Sequence, residues 1–210
     1  MTILLRDIWP ISAPENYKLH FARWNGENQP LEVWARDKRE WHGWQEYRPA
    51  RDDFNRPSFS PSFNFTTNPI FGFFGGVFSV LKRYSNRYAV KLSDDGAGFI
   101  GRLKLRSSYR LRATRVNFEN HYADLEVQEI LCEAYSGRSF PGFEDIDLSF
   151  EELEALVRNS RPDWKAALAS IKGIYLISDI RTGKRYVGSA YGDQGIWSRW
   201  SNYVTKRAEA

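Results

Sequence analysis

The residues best suited to chemistry lie beyond Lys172. Tyr175 and Tyr186 stand eleven positions apart, each inside a short β-type run. The first run is Gly173, Ile174, Tyr175, Leu176, Ile177, and the second is Arg185, Tyr186, Val187, Gly188, Ser189. The polar turn Arg181, Thr182, Gly183, Lys184 separates them, so the pair reads as a β-hairpin. A helix beginning near Ile196 follows, with Ile196, Trp200, Tyr203, Val204 and Arg207 at helical spacing. Arg199 and Tyr203 are four apart and project from one helical face. A guanidinium offers a planar fork of donors to phosphate oxygens, and its charge is not titrated away. Lys184 and Arg185 add positive potential at the turn. A phenol has an ordinary pKa of about 10 and needs a nearby cation or metal before it acts as a base. At Gly188 backbone and helix can approach where a Cβ would crowd them.

Taken singly, each residue has a plain structural reading. A strand tyrosine packs, a lone glycine marks a bulge, and a helix arginine is solvated. Trp197 and Trp200 read as core. The joint pattern, and not any one residue, is what carries a signal.

The triplets Gly173-Ile174-Tyr175 and Tyr186-Val187-Gly188, followed by Arg199 on a helix, resemble the GIY-YIG nuclease superfamily. That superfamily includes intron homing endonucleases, some restriction enzymes and a bacterial excision-repair nuclease. The resemblance spans residues 171–206. It implies a small α/β domain with a central three-stranded antiparallel sheet flanked by helices. It also implies metal-dependent hydrolysis of DNA, with Mg²⁺ or Mn²⁺ as cofactor and DNA as partner. Tyr175 would assist the attacking water, and Tyr186 would present a second hydroxyl to the phosphate or its water shell. Arg199 would hold phosphate oxygens, and Tyr203 stands where relatives carry His or Tyr. Lys184, Arg185 and Gly188 complete the expected nucleic-acid contacts.

The chain departs from the family at one point. The family's metal-binding carboxylate is a Glu on a later helix. After Tyr186 the acids are Asp193, in the loop before the helix, and Glu209, and neither matches it. No metal ligand is therefore assigned. A hard divalent ion prefers oxygen ligands that include carboxylates. The expectation is a truncated relative of a longer enzyme, inactive unless another chain supplies the carboxylate. The alternative is a binding module for nucleic acid or protein with a vestigial nuclease segment. A structural protein with no nucleic-acid role is the third reading.

The preceding residues must position or complement this segment. They read as an α+β chain. A β-rich domain, a small sheet or barrel, is expected over 1–140, a helical connector over 141–170, and the partial nuclease domain over 171–210. Tyr17, Leu19 and Phe21 alternate with Lys18 and His20 as in a half-buried strand. Asn25-Gly26 is a turn signal, and residues 31–34 read as a returning strand. Residues 52–69, rich in Asn, Pro, Ser and Phe, read as a long loop. Residues 73–81 and 84–92 form two strands joined near Ser85-Asn86, and 99–105, 114–118 and 125–131 are further short strands. Ser149 and Glu152 make a capping box, and Pro162 opens a second helix. Trp24, Trp34, Trp41, Trp44, Phe73 and Phe74 form either a core or a stacking platform.

Composition sets the bounds. A chain of 210 residues makes one or two domains and buries about 70% of its unfolded surface. With 42% hydrophobic and 27% charged residues, disorder along the whole length is excluded. No apolar run approaches the roughly 18 residues of a spanning helix, and the N-terminus lacks the pattern of a secretion signal. One cysteine, Cys132, excludes an internal disulfide framework and is compatible with a cytoplasmic location. His20, His42 and His121 show no paired metal-ligand spacing. The net charge of +4 is compatible with nucleic acid. It is unevenly spread: Asp94 and Asp95 are the acids of the basic stretch 82–115, and Arg138 is the lone strong base of the acidic stretch 119–154.

Overall fold

A computed structural model describes residues 2–50, 52–54, 59–65 and 71–208, with 59–65, 207 and 208 described as backbone. The chain is α+β and divides into two compact units, Met1–Tyr135 and Ser136–Ala210.

The first unit is built on an open seven-stranded sheet. Its strands are β1 (Lys18–Ala22), β2 (Phe59–Phe65), β3 (Phe71–Arg83), β4 (Tyr88–Leu92), β5 (Leu103–Arg106), β6 (Arg115–Asn117) and β7 (Glu126–Ile130). Their order is β6-β1-β2-β3-β5-β7, with β4 also on β3. The β1–β2 pair is parallel and the other pairs are antiparallel. Besides β2, β3 serves two further partners along its length, β5 opposite Phe71, Gly72 and Phe73, and β4 from Phe78 onward. Gly76, at φ +117°, lies at the changeover, where β3 carries an extra residue against β2. That conformation suits glycine, and the bulge swings the strand between its partners.

Three short helices join this sheet: α1 (Leu5–Ile8), α2 (Pro30–Arg36) and α3 (Lys38–Glu46). Residues 31–34 are thus helical, not a strand. Pro30 fits the first helical turn, where its missing N–H costs nothing. Leu31, Trp34 and Ala35 then fall on one buried face. Asp37 caps α3, its carboxylate accepting from the N–H groups of Arg39 at 2.7 Å and Glu40 at 3.2 Å.

The expected loop over 52–69 contains β2, paired on both sides within the sheet. Its remaining residues, apart from 52–54, lie outside the described residues. β1 is also buried on both faces. Leu19 and Phe21 join a core with Phe74, Leu103, Leu105 and Phe118. Ala22 packs on the other side with Trp34, Trp41, Phe78 and Tyr88. Helix cover on the second face removes the half-exposed pattern that alternation suggests. Trp34, Trp41, Phe73 and Phe74 are core residues, Trp44 is partly buried against the second cluster, and Trp24 is exposed.

The second unit contains α4 (Phe150–Arg158), α5 (Pro162–Ser170), the hairpin β8 (Gly173–Ser178) and β9 (Arg185–Ala190), and α6 (Gly195–Ala208). The capping box forms as the sequence reads. Ser149 Oγ accepts from Glu152 N at 3.1 Å, and Glu152 Oε2 accepts from Ser149 N at 2.8 Å. The helices over 141–170 pack in the same unit as the hairpin. Leu156, Trp164 and Leu168 share one buried cluster with Tyr175, Ala190, Ile196 and Trp197. Trp164 is fully buried and its indole N–H donates to Arg138 O at 2.8 Å. An isolated two-stranded hairpin is marginal in water, so this burial is what holds it. The resemblance implies three antiparallel strands, and the described residues of this unit form two.

Among the described residues, no helix is long and apolar enough to cross a membrane.

Candidate functional site

Strand alternation decides which residues meet α6. Tyr175 pairs with Gly188 across the hairpin, and Ile177 pairs with Tyr186. These four lie on one face, and Ile174, Leu176, Arg185 and Val187 lie on the other. A Cβ at Gly188 would overlap the phenol ring of Tyr175, so this glycine is what lets the ring lie flat across β9. Trp200 and Tyr203 of α6 then meet that ring edge-on, with centroids 5.9 Å and 6.3 Å away.

The helix is pinned at its start. A Cβ at Gly195 would strike the carbonyls of Ile171 and Leu168, and its φ of +49° is left-handed. Ile196 N donates to Ile171 O at 3.2 Å. This close approach sets the height at which the side chains of α6 meet the hairpin.

The Tyr175 and Tyr203 hydroxyls lie 2.9 Å apart. The hydrogen bond with Tyr175, then burial, then the hydrogen bond with Tyr186 push the Tyr203 phenol up to about 12. Tyr203 therefore keeps its proton through the neutral range. Arg199 is also held above its ordinary range, first by its hydrogen bond with Tyr175, then by the charge of that group and the hydrogen bond with Tyr186. Beside them is a shallow cavity of about 340 Å³, lined by Ile177, Tyr186, Arg199, Asn202, Tyr203 and Lys206.

Tyr175, Tyr186, Arg199, Tyr203 and Gly188 are therefore brought together. Lys184 and Arg185 are not. Both sit at the turn end of the hairpin, where Arg185 pairs with Ser178, three positions along from Tyr175. The turn itself is organised by Asp179, whose carboxylate accepts from Arg181 N, Thr182 N and Thr182 Oγ1. Sequence reasoning passed over Asn202 and Lys206. Their signal was their spacing, three and seven positions after Arg199 on the same helix.

The cavity's donor set is phenol hydroxyls, one amide and two cations. Among the described residues its lining contains no carboxylate, and its two positive side chains oppose a further cation. These residues do not fit Mg²⁺ or Mn²⁺. Among the described residues, no group of three His, Cys, Asp or Glu side chains could hold a metal ion. Asp193 lies in the exposed loop before α6.

No family model, curated protein or solved structure matches the chain. Two fixed positive charges and a cluster of hydroxyls favour a tetrahedral oxyanion, which needs several donors around one centre.

Proposed function

We propose that the second unit is a GIY-YIG-type phosphodiester site that holds a phosphate of DNA, with Arg199 as its principal contact. The observation that carries this reading is the 2.9 Å contact of the Tyr175 and Tyr203 hydroxyls beside an open cavity that Arg199, Tyr186 and Tyr203 line together. Arg199 neutralises a phosphate oxygen, and Lys206 extends the positive potential along α6. Tyr186, half exposed at the cavity, gives a hydroxyl to the phosphate or its water shell. Tyr203, hydrogen-bonded to Tyr175, fixes the orientation of the Tyr175 hydroxyl. Among the described residues the cavity lining holds no carboxylate to retain a divalent metal, so the expected behaviour is DNA binding without cleavage.

A second reading places binding in the first unit. The turn between β3 and β4 carries Tyr84 with Lys82 and Arg87 each 5.0 Å from its ring centroid. A partly exposed ring flanked by two cations is a surface that suits nucleic acid.

The test is fluorescence anisotropy of labelled duplex DNA with the full chain, across a salt series, in Mg²⁺ and in EDTA. A supercoiled-plasmid nicking assay runs alongside, with Arg199→Ala in both. Binding that survives EDTA, falls with salt and loses about one unit of salt slope in Arg199→Ala supports the phosphate site. Metal-dependent nicking that needs Arg199 would instead show a complete nuclease centre. Unchanged binding by Arg199→Ala overturns the assignment in favour of the first unit.

A further inference from the structure

Among the described residues β8 pairs with β9 and with no other strand, so its outer edge is open. Asp179 N donates to Lys184 O at 2.8 Å, one position beyond the Ser178–Arg185 pair. Hydrogen-bonded pairs alternate along an antiparallel ladder, so Tyr175 and Ile177 bond to β9. The N–H and C=O groups of Ile174, Leu176 and Ser178 therefore point outward. Among the described residues no backbone group bonds them. Ile174 is 70% exposed and Leu176 57%. Unpaired backbone beside exposed apolar side chains is a template for another strand.

A cavity of about 790 Å³ lies along this edge. Every residue from Ile174 to Ser178 lines it. Successive strand residues face opposite sides, so a cavity that touches all five follows the edge and not one face. Its other wall includes Ile146, Leu148 and Leu153, and Leu168, Ile196 and Trp200 also line it. The slot thus offers backbone partners from β8 and apolar contacts for alternate side chains, which is what strand addition uses. Glu144, Asp145 and Asp147 belong to the same wall segment. All three are exposed, and among the described residues none has an ion pair. Such a rim repels a nucleic-acid backbone and attracts Lys and Arg side chains.

We propose that the slot beside β8 docks an extended segment of a partner protein in which apolar and basic residues alternate. The segment adds a strand to β8, its apolar side chains enter the cavity, and its basic ones meet the acidic rim. This is independent of the reading of Arg199 as a phosphate contact.

The test uses the full chain labelled with ¹⁵N and a fluorescein-labelled peptide of about eight alternating valine and lysine residues. Anisotropy measures the affinity, and amide hydrogen exchange locates the contact. The expected result is saturable binding, although the chain itself carries a net charge of +4. Exchange at Ile174, Leu176 and Ser178 slows about tenfold when the free peptide stands at about ten times its Kd. The same peptide N-methylated throughout keeps its side chains, loses its strand donors and binds at least about tenfold more weakly. A valine–glutamate peptide, and the valine–lysine peptide with the Glu144→Lys, Asp145→Lys variant, weaken to a similar degree. Absence of binding, unchanged exchange at the three outward amides, or equal affinity for the N-methylated or valine–glutamate peptide overturns the proposal. Protection of the same amides by duplex DNA also overturns it, as does protection on raising the concentration of the chain alone, which would make a second copy the occupant. The peptide series decides the matter if the charge-reversed variant does not fold.

Discussion

Tyr175 and Gly188 face each other across the β8–β9 hairpin, and the tyrosine ring fills the space that a Cβ on the glycine would need. Gly188 is not among the glycines with positive φ, so room and not backbone freedom is what the position requires. Gly188→Ala is expected to displace the ring and destabilise the second unit by about 1–3 kcal/mol. Urea denaturation measures it. The penalty should shrink when Tyr175→Ala is added, because the two changes relieve one another. A full penalty in the double variant would show that the ring is not what Gly188 accommodates.

The Tyr175–Tyr203 contact has a pH signature. Tyr203 is held up to about 12, above the ordinary phenol value of 10.0. Its contribution to stability is therefore complete below about pH 10 and lost as pH rises toward 12. Denaturant midpoints measured across that window should fall, and Tyr203→Phe should flatten the fall. A variant whose slope matches wild type would remove Tyr203 as the proton holder.

At the acid end the relevant group is Asp163. Burial by itself would raise its pKa, but the hydrogen bonds from Arg161, Phe140 N and Trp164 N outweigh burial and hold it at about 2. Its stabilisation is present above its ordinary 3.8 and disappears as pH falls toward 2. Asp163→Asn keeps the shape and loses the charge, and should cost about 1 kcal/mol at neutral pH, since the side chain is partly solvated. Thermal melts at pH 7 and pH 2 should differ less for the variant than for wild type.

DNA binding should separate the cations by position. Lys206→Ala, like Arg199→Ala, is expected to lower the salt slope by about one. Arg185→Ala, on the opposite face of the hairpin, should leave it nearly unchanged. Equal effects at Arg185 and Lys206 would point to diffuse attraction instead of a located phosphate.

Ser149→Ala removes the side-chain acceptor at the start of α4 and should cost about 1 kcal/mol. Ser149→Asp, which restores an acceptor, should recover most of it in the same melt.

Features specified by neighbouring residues were legible in the sequence. The capping box at Ser149, the proline opening α5, the turn at Asn25-Gly26 and the β8–β9 hairpin all rest on contacts within a few positions. The same locality put Arg199 and Tyr203 on one helical face. Residues 31–34 misled because apolar residues in a short run suit a strand or a helix equally, and Pro30 was the deciding signal. β2 resembles a loop in sequence for a different reason. Its Ser, Asn and Pro are poor strand formers, and its place in the sheet comes from pairing with β1 and β3 on either side.

The sequence by itself determined which side chains could do chemistry and the spacing that puts them on a hairpin and a helix. Only the tertiary structure decided that Tyr175 is buried against Gly188 and reaches Tyr203, that Asn202 and Lys206 share the cavity, and that Arg185 faces away. It also decided that Arg115 lies buried against the contacting rings of Phe54 and Tyr88, with Nε and Nη2 unpaired among the described residues. The physical reason is range. Capping, turns and periodicity act over a few residues, whereas burial and hydrogen-bond partnership depend on atoms brought together from distant parts of the chain.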